Sequence, residues 1–167
     1  MLKRILLENW RLVVITAVAA LALNYAFICG ERFFSSTGFC MSCHSMTYPY
    51  EGLKKSAHWG SRGINPECRD CHFPPDFIGK VKVHVVTGMK DVVSSFTHDL
   101  STKEKFDKYK DEFARKAREQ IKGWDSSPCR DCHKDPKPSS VFGKAAHATL
   151  LAEGKATCVD CHQGIFH

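Results

Sequence analysis

Four copies of one five-residue pattern constrain this chain more than anything else in it. Cys40-Met41-Ser42-Cys43-His44, Cys68-Arg69-Asp70-Cys71-His72, Cys129-Arg130-Asp131-Cys132-His133 and Cys158-Val159-Asp160-Cys161-His162 all read C-x-x-C-H. They use eight of the nine cysteines. Two thiols three positions apart can each take one vinyl group of the same porphyrin. The histidine that follows is then placed under the iron. C-x-x-C pairs also build zinc sites and, in oxidising compartments, disulfides. Neither explains a histidine directly after every pair. The pattern predicts four covalently bound c-type haems, and so an electron carrier. Attachment of this kind implies export across a bacterial inner membrane.

A chain of 167 residues makes one modest domain or two small modules. It has limited apolar surface of its own to bury, and four porphyrins change that balance. We therefore expect a mainly α protein, with little regular secondary structure beyond helices and loops wrapped on the haems. Without haem it should have no stable fold. The net charge is +6, from Lys+Arg 24 against Asp+Glu 18. Most of these charges read as solvated surface. The basic balance suits an acidic partner or anionic lipid headgroups, and no motif argues for nucleic acid.

Residues 1–11 carry Lys3, Arg4 and Arg11 against Glu8, and an apolar run follows from Leu12 to Cys29. Its length is near the roughly 20 residues that span a bilayer. Trp10 and Tyr25 suit the interfaces, and the positive flank places the N-terminus in the cytoplasm and the haems outside. A cleaved signal peptide is the competing reading, with Ala17-Val18-Ala19 or Ala20-Leu21-Ala22 as the cut site. The apolar run continues past both. We read 12–30 as an uncleaved anchor and 31–167 as a periplasmic domain. Cys29 has no motif partner and reads as a buried or interfacial thiol.

Two pairs of motifs have nearly equal spacing, Cys40 to Cys68 and Cys129 to Cys158. Ser56-Ala57-His58 and Ala145-Ala146-His147 fall at matching places within them. This predicts dihaem modules at 40–76 and 128–167, separated by an insert at 77–127. Within the insert, Ser101-x-x-Glu104 reads as a capping box. Phe106, Tyr109, Phe113, Ala117 and Ile121 recur at helical spacing, and Gly123 is a stop. The helix so predicted reads as a cover over haem edges. Pro136 and Pro138 argue against a helix after the third motif.

The motif histidines His44, His72, His133 and His162 are the proximal ligand candidates. His58, His84, His98, His147 and His167 remain. Low-potential multihaem carriers usually place two histidines on each iron. Repeat position favours His58 and His147 as distal ligands. His167 lies five residues after His162 and suits a neighbouring haem. The equivalent place after His72 is Phe77, so one haem lacks this ligand, and we infer that it is haem 1. His98 reads as structural. Met46 follows His44 by two; its thioether either ligates iron and raises the potential or packs on a ring. Whether His44 or Met46 holds iron 1 stays open on these grounds.

Together these features resemble the NapC/NirT family of single-anchor tetrahaem quinol dehydrogenases, which includes the NrfH-type subunits of nitrite reductase complexes. The resemblance rests on the anchor, the four motifs, Met46 and Ser56-Ala57-His58. Gly88-x-x-Asp91, Ala148-Thr149-Leu150-Leu151 and Gly164-x-x-His167 add to it. It implies Met46 as an axial ligand of haem 1, with an open opposite side and Asp91 close to it in a quinol pocket. It implies His147 with His72 on haem 2, His167 with His133 on haem 3, and His58 with His162 on haem 4. NrfH-type members can lack a histidine at the place of His147, so its presence leans toward the wider NapC branch. The family often has a quinol-site lysine seven residues before the aspartate. Here that register is His84, with Lys80 and Lys82 nearby. On a regular helix Lys80, His84, Thr87 and Asp91 would share one face.

The function so implied is oxidation of membrane quinol, with menaquinol the expected type. Electrons would pass to a periplasmic nitrite, nitrate or other reductase in anaerobic respiration. An anchored electron shuttle without a quinol site, the quinone-reducing direction and an oxyanion reductase are the alternatives. Assembly into an oligomer or complex is left open.

Overall fold

The computed structural model describes residues 9–164, so the expectations placed on Lys3, Arg4, Glu8 and His167 lie outside it. Helix α1 runs from Trp10 to Phe34, 25 residues with no buried side chain. At about 1.5 Å per residue it is long enough to cross a hydrocarbon layer of about 30 Å. Its mean hydropathy reaches 2.3. Cys29 is exposed on its surface. The helix overruns the expected end at residue 30 and takes in Glu31 and Arg32. Ser35 ends it, its backbone N–H returning to the Glu31 carbonyl.

Short helices follow, with no strand among the described residues. Helix α2, Thr37–Cys40, ends on the first motif. A 3₁₀ turn, His44–Met46, leads into α3, Thr47–Lys54. Helix α4, Cys68–His72, is the second motif itself. Helix α5, Phe77–Lys82, passes through a π-turn at Val83–Thr87 into α6, Gly88–Thr97. Helices α7, Lys103–Asp107, and α8, Lys110–Gly123, come next. Helix α9, Ser127–Cys132, carries the third motif. Helix α10, Val141–Ala146, runs into a second π-turn at His147–Leu151, and α11, Cys158–Cys161, carries the fourth motif.

The single helix expected across the charged insert is two helices. Thr102, not Ser101, caps α7, its hydroxyl accepting from the Lys105 N–H. Ser101 instead donates its hydroxyl to Asp99. The break after Asp107 turns neighbouring aromatics to different partners. Phe106 is buried against Tyr48 and Phe113, while Tyr109 packs on His98 at 4.6 Å. His98 is thus a packing residue, as expected. Gly123 does end α8, and Pro136 and Pro138 do lie in an irregular stretch.

The aspartate before the second cysteine has a local task in two motifs. Asp70 accepts the Glu67 N–H and Asp160 the Thr157 N–H, each at 2.8 Å. Each closes a capping box on a very short helix, which would otherwise leave its first N–H groups unpaired. The third motif does it differently. Pro128 fills the first turn of α9, where its missing N–H costs little, and Ser126 precedes it in the left-handed region with φ 51°. Lys122 of α8 reaches Asp160 at 2.6 Å and, with the cap, holds that carboxyl down at about 2.

The local repeat that the structure contains differs from the expected one. Pro74, Asp76 and Gly79 match Pro138, Ser140 and Gly143. In each copy the cap residue accepts the glycine N–H, at 2.7 and 3.0 Å, and the helix then enters a π-turn. His58, by contrast, sits in a turn after α3, whereas His147 opens a π-turn. Their matching spacing to the next motif does not reflect matching local structure.

The chain buries few apolar side chains of its own: Leu53, Val83, Phe106, Ile121 and Val159 among the described residues. Such a scaffold depends on local detail. A Cβ on Gly79 would collide with Pro74 and lie 2.6 Å from the Asp76 cap. Gly79→Ala is therefore expected to cost about 1–3 kcal/mol, read as a lower Tm of the haem-loaded protein. Gly123→Ala, with nothing within 4 Å of the added carbon, should be near neutral.

Candidate functional site

The four motifs come together in chain order. The Cys68 N–H donates to Thr37 Oγ1 of α2 at 3.1 Å, and the side chains of Cys40 and Cys68 lie against each other. That contact, then burial, raises Cys40, while Cys68 is lowered to about 6. With haem attached both sulfurs are thioethers, so the lasting content is their proximity. Burial pushes Cys71 up to about 11, with Cys129 and Cys132 near enough to add to it. Burial also raises Cys129, with Cys158 beside it. Ser126, fully buried, accepts the Val159 N–H at 3.5 Å and so links the third and fourth motifs. Cys43, Cys132 and Cys161 are exposed, and among the described residues no cysteine is in a disulfide. The attachment points therefore form one line, first to second to third to fourth.

The histidines pair in a way that spacing did not reveal. The His58 ring faces His133, and the His147 ring faces His162. In both cases the centroids are 6.2 Å apart and the rings nearly perpendicular, at 82° and 89°. Two imidazoles on opposite faces of one metal, each nitrogen about 2 Å from it, put their centroids about 6 Å apart. The residues present fit haem iron between them. Among the described residues, His147 Nδ1 is also a buried polar atom with no hydrogen-bond partner. These ring contacts differ from the expected pairing. His58 stands with the third motif, not with His162 of the fourth, and His147 with the fourth, not with His72 of the second. His167, expected opposite His133, lies outside the described residues.

The first motif is arranged differently. The Nε2 of His44, the atom that would meet an iron, hydrogen-bonds Tyr48 Oη at 2.9 Å. Met46 ends the same 3₁₀ turn and is half-buried. Asp91 reaches this region from α6, its charge adding to the upward shift of Cys40. Desolvation raises the Asp91 carboxyl above the ordinary range, although part of its surface stays open.

The segment 77–97 lies beside the C-terminal end of the anchor helix. Phe77 packs on Phe27 at 5.7 Å, His84 hydrogen-bonds Ser35 at 3.0 Å, and Asp91 acts on Cys40. The four residues expected on one helical face do not share it. In the π-turn each bond spans five residues, so side chains beyond it fall out of α-helical phase. Lys80 lines a polar cavity, Lys82 is exposed, His84 meets Ser35, and Thr87 accepts from Gln120 Nε2 at 2.9 Å. Sequence reasoning missed Glu31, Ser35 and Tyr48. Tyr48, four residues after His44 on a helical turn, carried a usable signal; Ser35 and Glu31 did not.

A family model described as the NapC/NirT cytochrome c family, N-terminal region, matches residues 3–167. A probable tetraheme cytochrome c-type protein of Nitrosomonas europaea is 45% identical over 83% of this chain and 60% of its own length. The cytochrome c-type protein TorC of Escherichia coli K12 is 35% identical over 93% of this chain and 41% of its own. NapC of Haemophilus influenzae is 32% identical over 93% and 79%. The chain thus spans well under two thirds of the first two relatives' lengths. In fold it is similar to a chain of the cytochrome c nitrite reductase NrfHA complex bound to the HQNO inhibitor. The TM-score is 0.55, at 23% identity over 92% of this chain and 88% of that one. With the four attachment motifs in line and the apolar helix at their head, this chain belongs to the NapC/NirT cytochrome c family.

Proposed function

We propose that this protein is a membrane-anchored tetrahaem quinol dehydrogenase. It takes electrons from quinol, menaquinol being the expected type, and delivers them to a periplasmic reductase. The observation that carries this is Asp91, its affinity for protons raised by desolvation and its charge felt at Cys40 of the first motif, on a helical segment whose His84 meets Ser35 at the end of the apolar helix. A quinol held in the bilayer meets the protein there. The anchor sits in the inner membrane with its N-terminus cytoplasmic, as the basic flank of the sequence favours. A nitrite or nitrate reductase suits the relatives' names as partner.

Oxidation of one quinol releases two electrons and two protons. The haems supply the one-electron chemistry, and the line of motifs favours passage from the first attachment site to the fourth. Asp91 accepts a proton, a task suited to a carboxyl whose affinity lies nearer the working pH. Met46 would hold the iron of the first haem; the engagement of His44 Nε2 by Tyr48 supports this. His58 with His133 and His147 with His162 would hold the third and fourth. Lys80 and Lys82 are secondary candidates at the quinol site.

Two outcomes test this reading. Because only the carboxylate accepts a proton, quinol-driven haem reduction should rise with pH through the raised Asp91 value. Asp91→Asn should lose that limb and slow reduction by roughly 100-fold; an unchanged rate and pH profile in stopped-flow absorbance would remove Asp91 from the mechanism. For the pairing, NMR of the reduced protein should connect His147 and His162 ring protons to the same porphyrin. A shared porphyrin for His147 and His72 would overturn it.

A further inference from the structure

Asp91 accounts for one of the two protons that a quinol gives up. The other needs an acceptor and a way out, and one hydrogen-bonded chain offers both. Ser35 is 1% exposed. Its hydroxyl donates to Glu31 Oε1 at 3.0 Å and also lies 3.0 Å from His84 Nε2. A serine hydroxyl has one hydrogen, and here it is committed to Glu31. His84 Nε2 therefore carries the hydrogen of the second bond and donates it to Ser35. The Phe73 ring packs on the imidazole at 4.8 Å and fixes its plane. The three groups point one way, from His84 through Ser35 to Glu31.

Glu31 opens on a polar cavity of about 540 Å³. Arg32, Arg69, Asp70, Lys80 and Asp131 line it with Glu31, so its walls come from the anchor helix, the second and third motifs and α5. A space of this size and polarity holds water. On the quinol side, His84 and Asp91 lie on the same continuous helical segment, one at the end of the anchor helix and the other at the first motif.

We propose that His84, Ser35 and Glu31 form the exit route for the second proton of the oxidised quinol, with Glu31 the terminal acceptor at the cavity; this deepens the quinol dehydrogenase reading and rests on it. The account balances. Quinol becomes quinone by losing two electrons to the haem chain, one proton to Asp91 and one to the His84 ring. His84 then passes its Nε2 hydrogen to Ser35, Ser35 passes its own to the Glu31 carboxylate, and Glu31 releases it to water in the cavity. Glu31 and Ser35 do not touch quinol; they are relay residues. The charged groups that face the relay are the cavity residues named above.

The test uses the full haem-loaded protein in lipid nanodiscs, oxidised, with a menaquinol analogue as reductant. Wild type, Glu31→Gln, Glu31→Asp and Ser35→Ala are compared. Dithionite should reduce the haems of all four alike. Quinol-driven reduction should slow by roughly 10- to 100-fold in Glu31→Gln and Ser35→Ala, with an altered pH profile and solvent isotope effect, and Glu31→Asp should recover most of it. HQNO binding to the oxidised protein should keep the pH dependence due to Asp91 and lose that due to the relay in Glu31→Gln. Wild-type rate, pH profile and isotope effect in both altered proteins would overturn the relay alone. So would a loss of rate that Glu31→Asp does not recover, accompanied by lost haem or uniformly weaker HQNO binding. No reduction of the wild type by quinol would remove the dehydrogenase reading, and the relay with it.

Discussion

The structure depends on bringing four short helical turns into contact in the order in which they are made. Each is too short to be stable alone, since a helix of four to six residues cannot repay its own nucleation. Each is stabilised locally and then tied to its neighbour. Asp70 and Asp160 supply the caps of two of them, and Pro128 starts a third. Thr37 ties the second turn to the first, and buried Ser126 ties the fourth to the third. Lys122 fastens the fourth again from α8. With so few apolar residues buried among the described residues, porphyrins at these turns would take the place of an ordinary core. Lining up electron carriers and holding the chain together are then one requirement.

A second constraint acts where the apolar helix ends. The helix does not stop at its last apolar residue but runs on to Phe34, bringing Glu31 and Ser35 to the face of the segment 77–97. That segment is fixed at three points, by Phe27, Ser35 and the first motif. The π-turn between them sends His84 toward the anchor and leaves Asp91 to the haem attachment site. In the account proposed here, that division separates two routes for protons at a single quinol site.

Much of this was legible in the residues. The motifs, the apolar helix and the helical nature of the rest follow from patterns with a local cause, whereas the expectation for Asp91 came only with the family resemblance. What escaped has non-local causes. The facing of His58 with His133 is set by how the turns pack, and no spacing rule encodes a contact across so long a stretch of chain. Equal intervals between motifs suggested equal roles for His58 and His147, yet the local repeat lies elsewhere, in the caps on Gly79 and Gly143. The π-turns have no periodic signature, so an α-helical wheel put Lys80, His84, Thr87 and Asp91 on one face. Glu31 read as the first residue of the periplasmic domain, with no role assigned. Its role appears only once Ser35 and His84, 49 positions apart, are seen to meet.

The most direct measurement is anaerobic stopped-flow mixing of the oxidised protein in nanodiscs with a menaquinol analogue, paired with EPR of the oxidised haems. The account predicts rapid reduction of all four haems. It also predicts one high-spin signal that shifts when HQNO is added, as for a first haem held by Met46 with an open face. No reduction by quinol, with all haems low-spin and indifferent to HQNO, would contradict it and leave an anchored electron wire.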